Sequence, residues 1–285
     1  MRFRPSVRES RPRVKRWPHM TTYVVHHNGR AATAEELAAV AFGSPAHFTA
    51  MQVRGGLIRG LDLHLARLRT ASLELFGRAV PDEEVRSQLR AALAASPADV
   101  SLRVLVHAPG DPFAAEPGEP AMLVRTASAG APPTGPLALA AVAHERFQPA
   151  VKHVGEPAKR FFLRQAAAEG FDDAAFVDRD GRLSEGTIWN LAFWDGTAVV
   201  WPVAGILDGI MQGMIKRQLA KLGVPQRDAE VRADGLARWA RGAVVLNSRT
   251  PAVAVHCIGN EVLPEAPDFV ALLHRAHEAE PLVAP

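Results

Sequence analysis

The sequence predicts an α+β fold arranged as two domains. Short runs rich in valine and aromatic residues alternate with leucine- and alanine-rich helical runs in no regular order, and no internal repeat is visible. A chain of 285 residues, 48% of them hydrophobic, can bury one large core or two moderate ones. The pattern changes near residue 145, where "LALAAVAHERFQPAVKHVGEP" reads as a connector. The expected organisation is a disordered basic extension over 1–20, a smaller α+β domain over 21–144 and a larger one over 145–285. Two such domains put the expected pocket between them.

Each element follows from local pattern. "TTYVVHHNGRAAT" predicts a strand, an Asn28-Gly29 turn and a return strand. "HFTAMQVRGGLIRG" predicts a strand, a Gly55-Gly56 turn and a short strand, and the helix that follows carries Leu63, Leu65, Leu68, Leu73 and Leu75. "PDEEVRSQLRAALAA" is a second helix, with Pro81 at its start and Asp82, Glu83 and Glu84 in the turn where the helix dipole favours acids. "VSLRVLVHA" and "AMLVRTAS" are strands separated by the loop "GDPFAAEPGEP". The second domain reads as helix "AKRFFLRQAAAEG", strand "DAAFVD", an Asp180-Gly181 hairpin, and strands "TIWNLAFWD" and "AVVWP". A helix from Gly209 to Leu222, a short helix near "ADGLARWA", strands "GAVVLNS" and "AVAVHCIG" and a C-terminal helix complete it.

Charge and cysteine content exclude several classes. Residues 1–20 hold seven lysines and arginines against Glu9, which exceeds the +3 of the whole chain and leaves the other 265 residues at net −3. The basic pI therefore belongs to the extension, which precedes Met20, an alternative start, and lacks the apolar core and small-residue cleavage site of a secretory signal. With Trp17 as its one tryptophan and no motif in the body to support it, a nucleic-acid arm is not expected. Cys257 is the only cysteine, which rules out an internal disulfide and fits a reducing, cytoplasmic setting. No window has the apolar length of a membrane span. His26-His27 and the pair His274 and His277 lack accompanying carboxylates or cysteines and read as surface residues, so no metal is expected. Gly-x-Gly-x-x-Gly, P-loop and Gly-x-Ser-x-Gly patterns are absent.

The stretch "LSEGTIWNLAFWDG" poses the functional question. Glu185 enters a segment of Ile188, Trp189, Leu191, Phe193 and Trp194, and a carboxylate in such surroundings costs several kcal/mol unless a cation compensates it. Taken alone, Ser184-Glu185-Gly186 reads as one more exposed turn before the next strand.

Three further features bear on that choice. Lys152 is flanked by Val151 and Val154, and apolar neighbours would lower its pKa and make it nucleophilic toward carbonyls. "GILDGIMQGMIKRQLAKLG" starts a helix at Gly209, so Ile210 and Met211 offer free backbone N–H groups of the kind that bind phosphate. "VVLNSRTPAVAV" inserts Asn247, Ser248, Arg249 and Thr250 between two strands. A lysine, a carboxylate and two phosphate-binding elements are the parts that pyridoxal phosphate requires.

In this order they resemble the class IV aminotransferases, the fold-type IV pyridoxal-phosphate enzymes that include branched-chain and D-amino-acid aminotransferases and aminodeoxychorismate lyases. The resemblance runs from about Tyr23 to Asn260, with "SEGTIWNLAFW" as its most specific part. It implies Glu185 as the partner of the pyridine nitrogen and Lys152 as the Schiff-base lysine. "HLARL" resembles the family's His-x-x-Arg-Leu segment and implies Arg67 as a phosphate ligand, joined by Ile210, Met211 and Ser248. Thr49, in "HFTAMQV", falls in a segment that faces the pocket in the family and is a candidate for handling substrate protons. The resemblance further implies a D-amino-acid aminotransferase-like fold, a homodimer and transamination between an amino acid and a 2-keto acid. "VKH", "GIM" and "LNSRTPAVAV" look more like the lyases, whereas "KHVGEPAKR" departs from the lyase pattern, which leaves open both the lyase and a cofactor-binding protein without turnover.

Overall fold

The computed structural model describes residues 21–42, 45–110 and 116–285. The expected basic extension lies outside them.

The chain opens with the hairpin β1 (Thr22–His27) and β2 (Arg30–Ala31) around Asn28-Gly29, both of which take the positive φ such a turn needs. A helix the sequence reading passed over, α1 (Ala34–Ala41), follows immediately. It is started by a capping box in which Thr33 accepts from the Glu36 amide and Glu36 accepts from the Thr33 amide. His27, expected at the surface, is buried with its ring 2.9 Å from Glu36.

Strands β3 (Ala46–Arg54) and β4 (Leu57–Arg59) lead into helices α2 (Leu61–Phe76) and α3 (Asp82–Ala94). Strands β5 (Val100–His107) and β6 (Ala121–Ser128) complete the unit. They form an antiparallel sheet in the order β4-β3-β5-β6-β1-β2. Alternation assigns its two faces. Met51, Val53, Leu102, Val104 and Val124 pack on Leu61, Leu65, Leu68 and Leu89 of the two helices as one core, where each fully buried aliphatic side chain contributes roughly 1.5–3 kcal/mol. Phe48, Ala50, Gln52, Arg103 and Arg125 occupy the opposite face, which lines a pocket.

A second sheet begins earlier than expected. Strand β7 (Leu137–Ala143) lies in the segment read as connector, yet it pairs in parallel with a later strand and with β8 (Asp173–Val177). Sheet membership therefore changes between Ser128 and Leu137 rather than near residue 145. Alanine-rich "LALAAVA" has weak intrinsic strand preference; burial between two neighbours overrides it.

Helix α4 (Pro157–Ala168) precedes β8. Strands β9 (Leu183–Gly186), β10 (Asn190–Trp194) and β11 (Val199–Pro202) then follow. The Ser184-Glu185-Gly186 segment is thus a buried strand and not an exposed turn, and the strand expected through "TIWNLAFWD" begins only at Asn190 and ends at Trp194. Helix α5 (Ile210–Lys221), strand β12 (Gln226–Ala229) and helix α6 (Leu236–Trp239) lead to β13 (Gly242–Asn247), β14 (Thr250–Ile258), β15 (Glu261–Val262) and helix α7 (Pro267–Glu278). The sheet runs β12-β11-β10-β13-β14-β7-β8-β9, with β15 beside β14. Helices α5 and α7 bury Ile215, Leu219, Phe269 and Leu273 against it. A last strand, β16 (Leu282–Val283), returns to pair with β4 of the first sheet.

Two links position the site between the sheets. The Phe48 amide donates to the Lys152 carbonyl at 2.9 Å and the Val154 amide to the Ala46 carbonyl at 3.1 Å, so β3 holds the lysine-bearing segment through one isolated antiparallel bridge, His47 opposite His153. Arg217 of α5 pairs with Asp62 at the start of α2 at 2.7 Å.

Candidate active site

One pocket, a cavity of about 280 Å³, is lined by Arg67, Lys152, Glu185, Ile210, Met211 and Ser248. Five separate chain segments bring these six residues together, and all six are the candidates drawn from the sequence. Thr49 is not among them. On β3, Phe48 and Ala50 face the pocket, so Thr49 points to the other side of the sheet, fully buried, with Oγ1 2.7 Å from Nδ1 of His64. His64 lies one helical turn before Arg67, so this contact anchors the helix that carries the arginine.

Lys152 is held by backbone pairing at its own carbonyl and has its Nζ 5.2 Å from the Phe48 ring centroid. Burial lowers its pKa to about 7, and the positive neighbours Lys159, Arg67 and Arg146 add to that effect against Glu185. Its amine is therefore largely uncharged just above neutrality.

Glu185 is 4% exposed and has a partner from the protein itself. Arg146 Nη1 donates to Glu185 Oε1 at 2.8 Å, while the same guanidinium reaches Glu156 and the carbonyls of Pro149 and Val151. Burial works against the charge on Arg146, but Glu185 and Glu156 outweigh it and raise its pKa. Glu156 in turn pairs with Lys159 at 2.7 Å. A row of alternating charge, Glu185, Arg146, Glu156, Lys159, thus borders the pocket. The unusual "HVGEPAKR" segment supplies half of it.

At the other end, Arg67 donates to the Asp208 carbonyl, which ties α2 to the residue before the cap of α5. Burial lowers the Arg67 pKa to about 10 and leaves it charged at neutral pH. Gly209 caps α5 without any side-chain hydrogen bond, so the amides of the first turn have no side-chain acceptor there. A Cβ on Gly209 would stand 1.9 Å from Oδ1 of Asn190, whose Nδ2 bonds the Leu207 carbonyl at 2.9 Å. Only glycine fits that close approach. Thr250 lines the same pocket with a buried hydroxyl that has no hydrogen-bond partner.

The donor set fits pyridoxal phosphate. Arg67, the first amides of α5, Ser248 and the orphaned Thr250 hydroxyl suit a phosphate dianion, and Lys152 and Glu185 lie in the same pocket.

The class IV amino-transferase family model matches residues 46–258, which spans β3 through β14. This chain belongs to the class IV aminotransferase family. Its fold is similar to the T.th. branched-chain amino acid aminotransferase solved with pyridoxamine 5'-phosphate, at 18% identity and a TM-score of 0.78 over 92% of this chain and 95% of that one. The branched-chain aminotransferase of Thermobaculum terrenum in its pyridoxal-phosphate form matches at 18% identity and a TM-score of 0.76, over 90% and 94% of the two chains. A Legionella pneumophila protein provisionally assigned as a 4-amino-4-deoxychorismate lyase matches at 18% identity and a TM-score of 0.75, over 85% and 93%. Comparison with curated proteins gave no match. Membership in the family carries pyridoxal phosphate as the implied cofactor. Among the described residues, no helix is long and apolar enough to cross a membrane.

Sequence reasoning missed Arg146, Lys159, Arg103, Arg125 and Asn190 as parts of this site. Two left a readable trace: Arg103 and Arg125 are the single charges inside the consecutive apolar strands "VSLRVLVH" and "AMLVRTAS". Arg146, in an apparent connector, left none.

Proposed function

We propose that this protein is a pyridoxal-phosphate-dependent class IV aminotransferase that transfers an amino group between an amino acid and a 2-keto acid. The observation that carries the reading is a buried lysine with a pKa of about 7 in one pocket with a cationic, amide-rich end and a buried, paired carboxylate. When bound, the cofactor supplies an aldehyde carbon that takes up an amine and a ring that accepts an electron pair.

The chain supplies the rest. Arg67, the Ile210 and Met211 amides and Ser248 would hold the phosphate. Lys152 Nζ, its pKa lowered to about 7 by burial, has a neutral fraction near neutrality that can attack a carbonyl and, once released, take a proton from the substrate α-carbon and return it elsewhere. Glu185 would take the protonated ring nitrogen as a second cationic partner, and its bond to Arg146 keeps the carboxylate from turning away. The family resemblance adds a homodimer, and the lone Cys257 supports a cytoplasmic setting.

A second reading, release of pyruvate from aminodeoxychorismate to give 4-aminobenzoate, draws support from Met211. Aminotransferases of the family usually have threonine there, and a methionine offers the phosphate an amide but no hydroxyl.

The deciding measurement is an absorbance spectrum of the purified protein and of Lys152→Ala, before and after addition of L- and D-amino acids and then aminodeoxychorismate. Visible absorbance lost in the mutant, and conversion to a pyridoxamine spectrum by an amino acid, supports the aminotransferase. Pyruvate release from aminodeoxychorismate selects the lyase. A cofactor band that no substrate changes indicates binding without turnover, and a colourless protein that takes up no pyridoxal phosphate overturns the cofactor reading.

A further inference from the structure

The strand that carries Glu185 is not regular. Across the β8–β9 ladder Ala175 pairs with Gly186 and Val177 with Leu183, so two residues, Ser184 and Glu185, stand opposite the single Phe176. This is a β-bulge, and it sets where the carboxylate points. Ala175 and Val177 are two positions apart and share one face of β8, and cross-strand partners share a face, so Leu183 and Gly186 lie on that side too. There they meet the apolar core of Leu137, Leu139, Ala175 and Leu183. An unbroken β9 would put Glu185 on the face of Leu183 and bury its charge in that core. The extra residue turns Glu185 away from it, to the side where Arg146 and the pocket lie.

Two side chains outside the proposed chemistry fix this bulge. Ser184 donates its hydroxyl to the carbonyl of Phe176, the residue opposite, at 3.2 Å. Asp173 on β8 holds the far side. Its Oδ1 accepts from the Ala174 amide at 2.7 Å and from the Thr187 hydroxyl at 2.6 Å, and its Oδ2 accepts from the Trp189 indole at 2.8 Å. Thr187 and Trp189 flank Ile188 in the turn that leaves β9, which is closed by the Gly186 amide on the Trp189 carbonyl at 2.7 Å. Asp173 is buried, and among the described residues no cation pairs with it, so burial raises its pKa in spite of these bonds. A carboxylate costs more here than a neutral side chain would, so filling the space gives no reason for it. Its donors do, because they engage both oxygens and only an ionised carboxylate accepts at both. Arg146 thus holds the end of the Glu185 side chain, while Ser184 and Asp173 hold the backbone that presents it.

We propose that Ser184 and Asp173 are positioning residues that lock the β9 bulge in one register and so aim Glu185 at the ring nitrogen of the cofactor. The proposal rests on the cofactor reading for what Glu185 meets. Asparagine at position 173 has nearly the shape of aspartate but offers one acceptor oxygen and one donor group. In either orientation it sets an N–H against the N–H of Trp189 or of Ala174. Ser184→Ala removes the tie at the bulge itself with the loss of a single oxygen.

The test compares uptake of pyridoxal phosphate with uptake of its deaza analogue, in which a C–H group replaces the ring nitrogen, by absorbance titration of wild type, Asp173→Asn and Ser184→Ala. Wild type is expected to hold pyridoxal phosphate about tenfold or more tightly than the analogue, the worth of one charge-assisted contact. Asp173→Asn should bring the two affinities to within about twofold of each other, and Ser184→Ala should lower the preference by about threefold or more. A variant that merely weakens the fold loses both ligands alike and keeps the ratio; that result overturns the proposal, as does a wild type without preference. Ser184→Ala decides alone should Asp173→Asn not fold. Nuclear magnetic resonance of the isotope-labelled protein gives a readout that needs no cofactor. The Ser184 and Glu185 amide signals should shift in both variants, and the Trp189 indole N–H, assigned through Trp189→Phe, should lose its hydrogen-bonded position in Asp173→Asn. Unmoved signals overturn the clamp. A wild type that takes up neither ligand loses the cofactor reading, and the same signals then decide whether Ser184 and Asp173 hold the bulge.

Discussion

Arg146 Nη1 lies 2.8 Å from Glu185 Oε1, with both side chains almost entirely out of solvent. The carboxylate that the sequence left in search of a cation has one inside the protein. Removing one member of a buried pair leaves an uncompensated charge, so Arg146→Met should destabilise the fold by about 3–5 kcal/mol. Urea denaturation of the variant measures this. Arg146→Met combined with Glu185→Gln should recover part of the loss, because no buried charge is then left alone.

Lys152 should report its own environment. With a folded pKa of about 7 against an ordinary 10.5, the unfolded chain binds more protons between those values. Stability therefore rises with pH across roughly that window, and the penalty for burying the ammonium is complete below pH 7. The slope of denaturation midpoint against pH should flatten there in Lys152→Met. Labelling of Lys152 by an amine-specific reagent, followed by mass spectrometry, should have its midpoint near pH 7 in wild type. In Lys159→Gln that midpoint should move upward, since Lys159 is the leading charge that holds the amine neutral.

Gly209→Ala should be costly out of proportion to one methyl group. The new Cβ meets Oδ1 of Asn190 at 1.9 Å, so either the asparagine leaves the Leu207 carbonyl or α5 shifts. A destabilisation of roughly 1–3 kcal/mol is expected. Titration with pyridoxal phosphate should show weakened uptake, since the displaced amides are those of the anion-binding turn.

Thr49→Val separates support from catalysis. Losing the hydroxyl strands a buried His64 nitrogen, at a cost of about 1–3 kcal/mol. Thermal melts should register this, and Thr49→Ser should restore most of it. With the side chain facing away from the pocket, KM for the amino donor should change little in Thr49→Ser, whereas a substrate-contacting hydroxyl would make KM sensitive to the same change.

Much of the fold was legible where one local rule acts alone. Asn28-Gly29 and Asp180-Gly181 marked turns, Pro81 with three acids marked the start of α3, and leucine spacing marked α2. The failures share a cause. β7 is alanine-rich and β9 contains Ser184, Glu185 and Gly186, and both became strands through pairing and burial that local propensity does not encode, β7 beside the distant β14 and β9 beside the nearby β8. Local propensity carries no information about a neighbour more than a hundred residues away, such as β14 beside β7.

The site divides along the same line. From the sequence alone came the α+β class, the family resemblance and six residues that now share one cavity, because a motif preserves which side chain a given backbone position presents. Only the tertiary structure decided that Glu185 is paired with Arg146, that Thr49 faces His64 instead of the pocket, and that Arg103 and Arg125 stand opposite each other without an acid. These relations depend on strand register and on the packing of two sheets, and a one-residue change of register would turn each side chain to the opposite face.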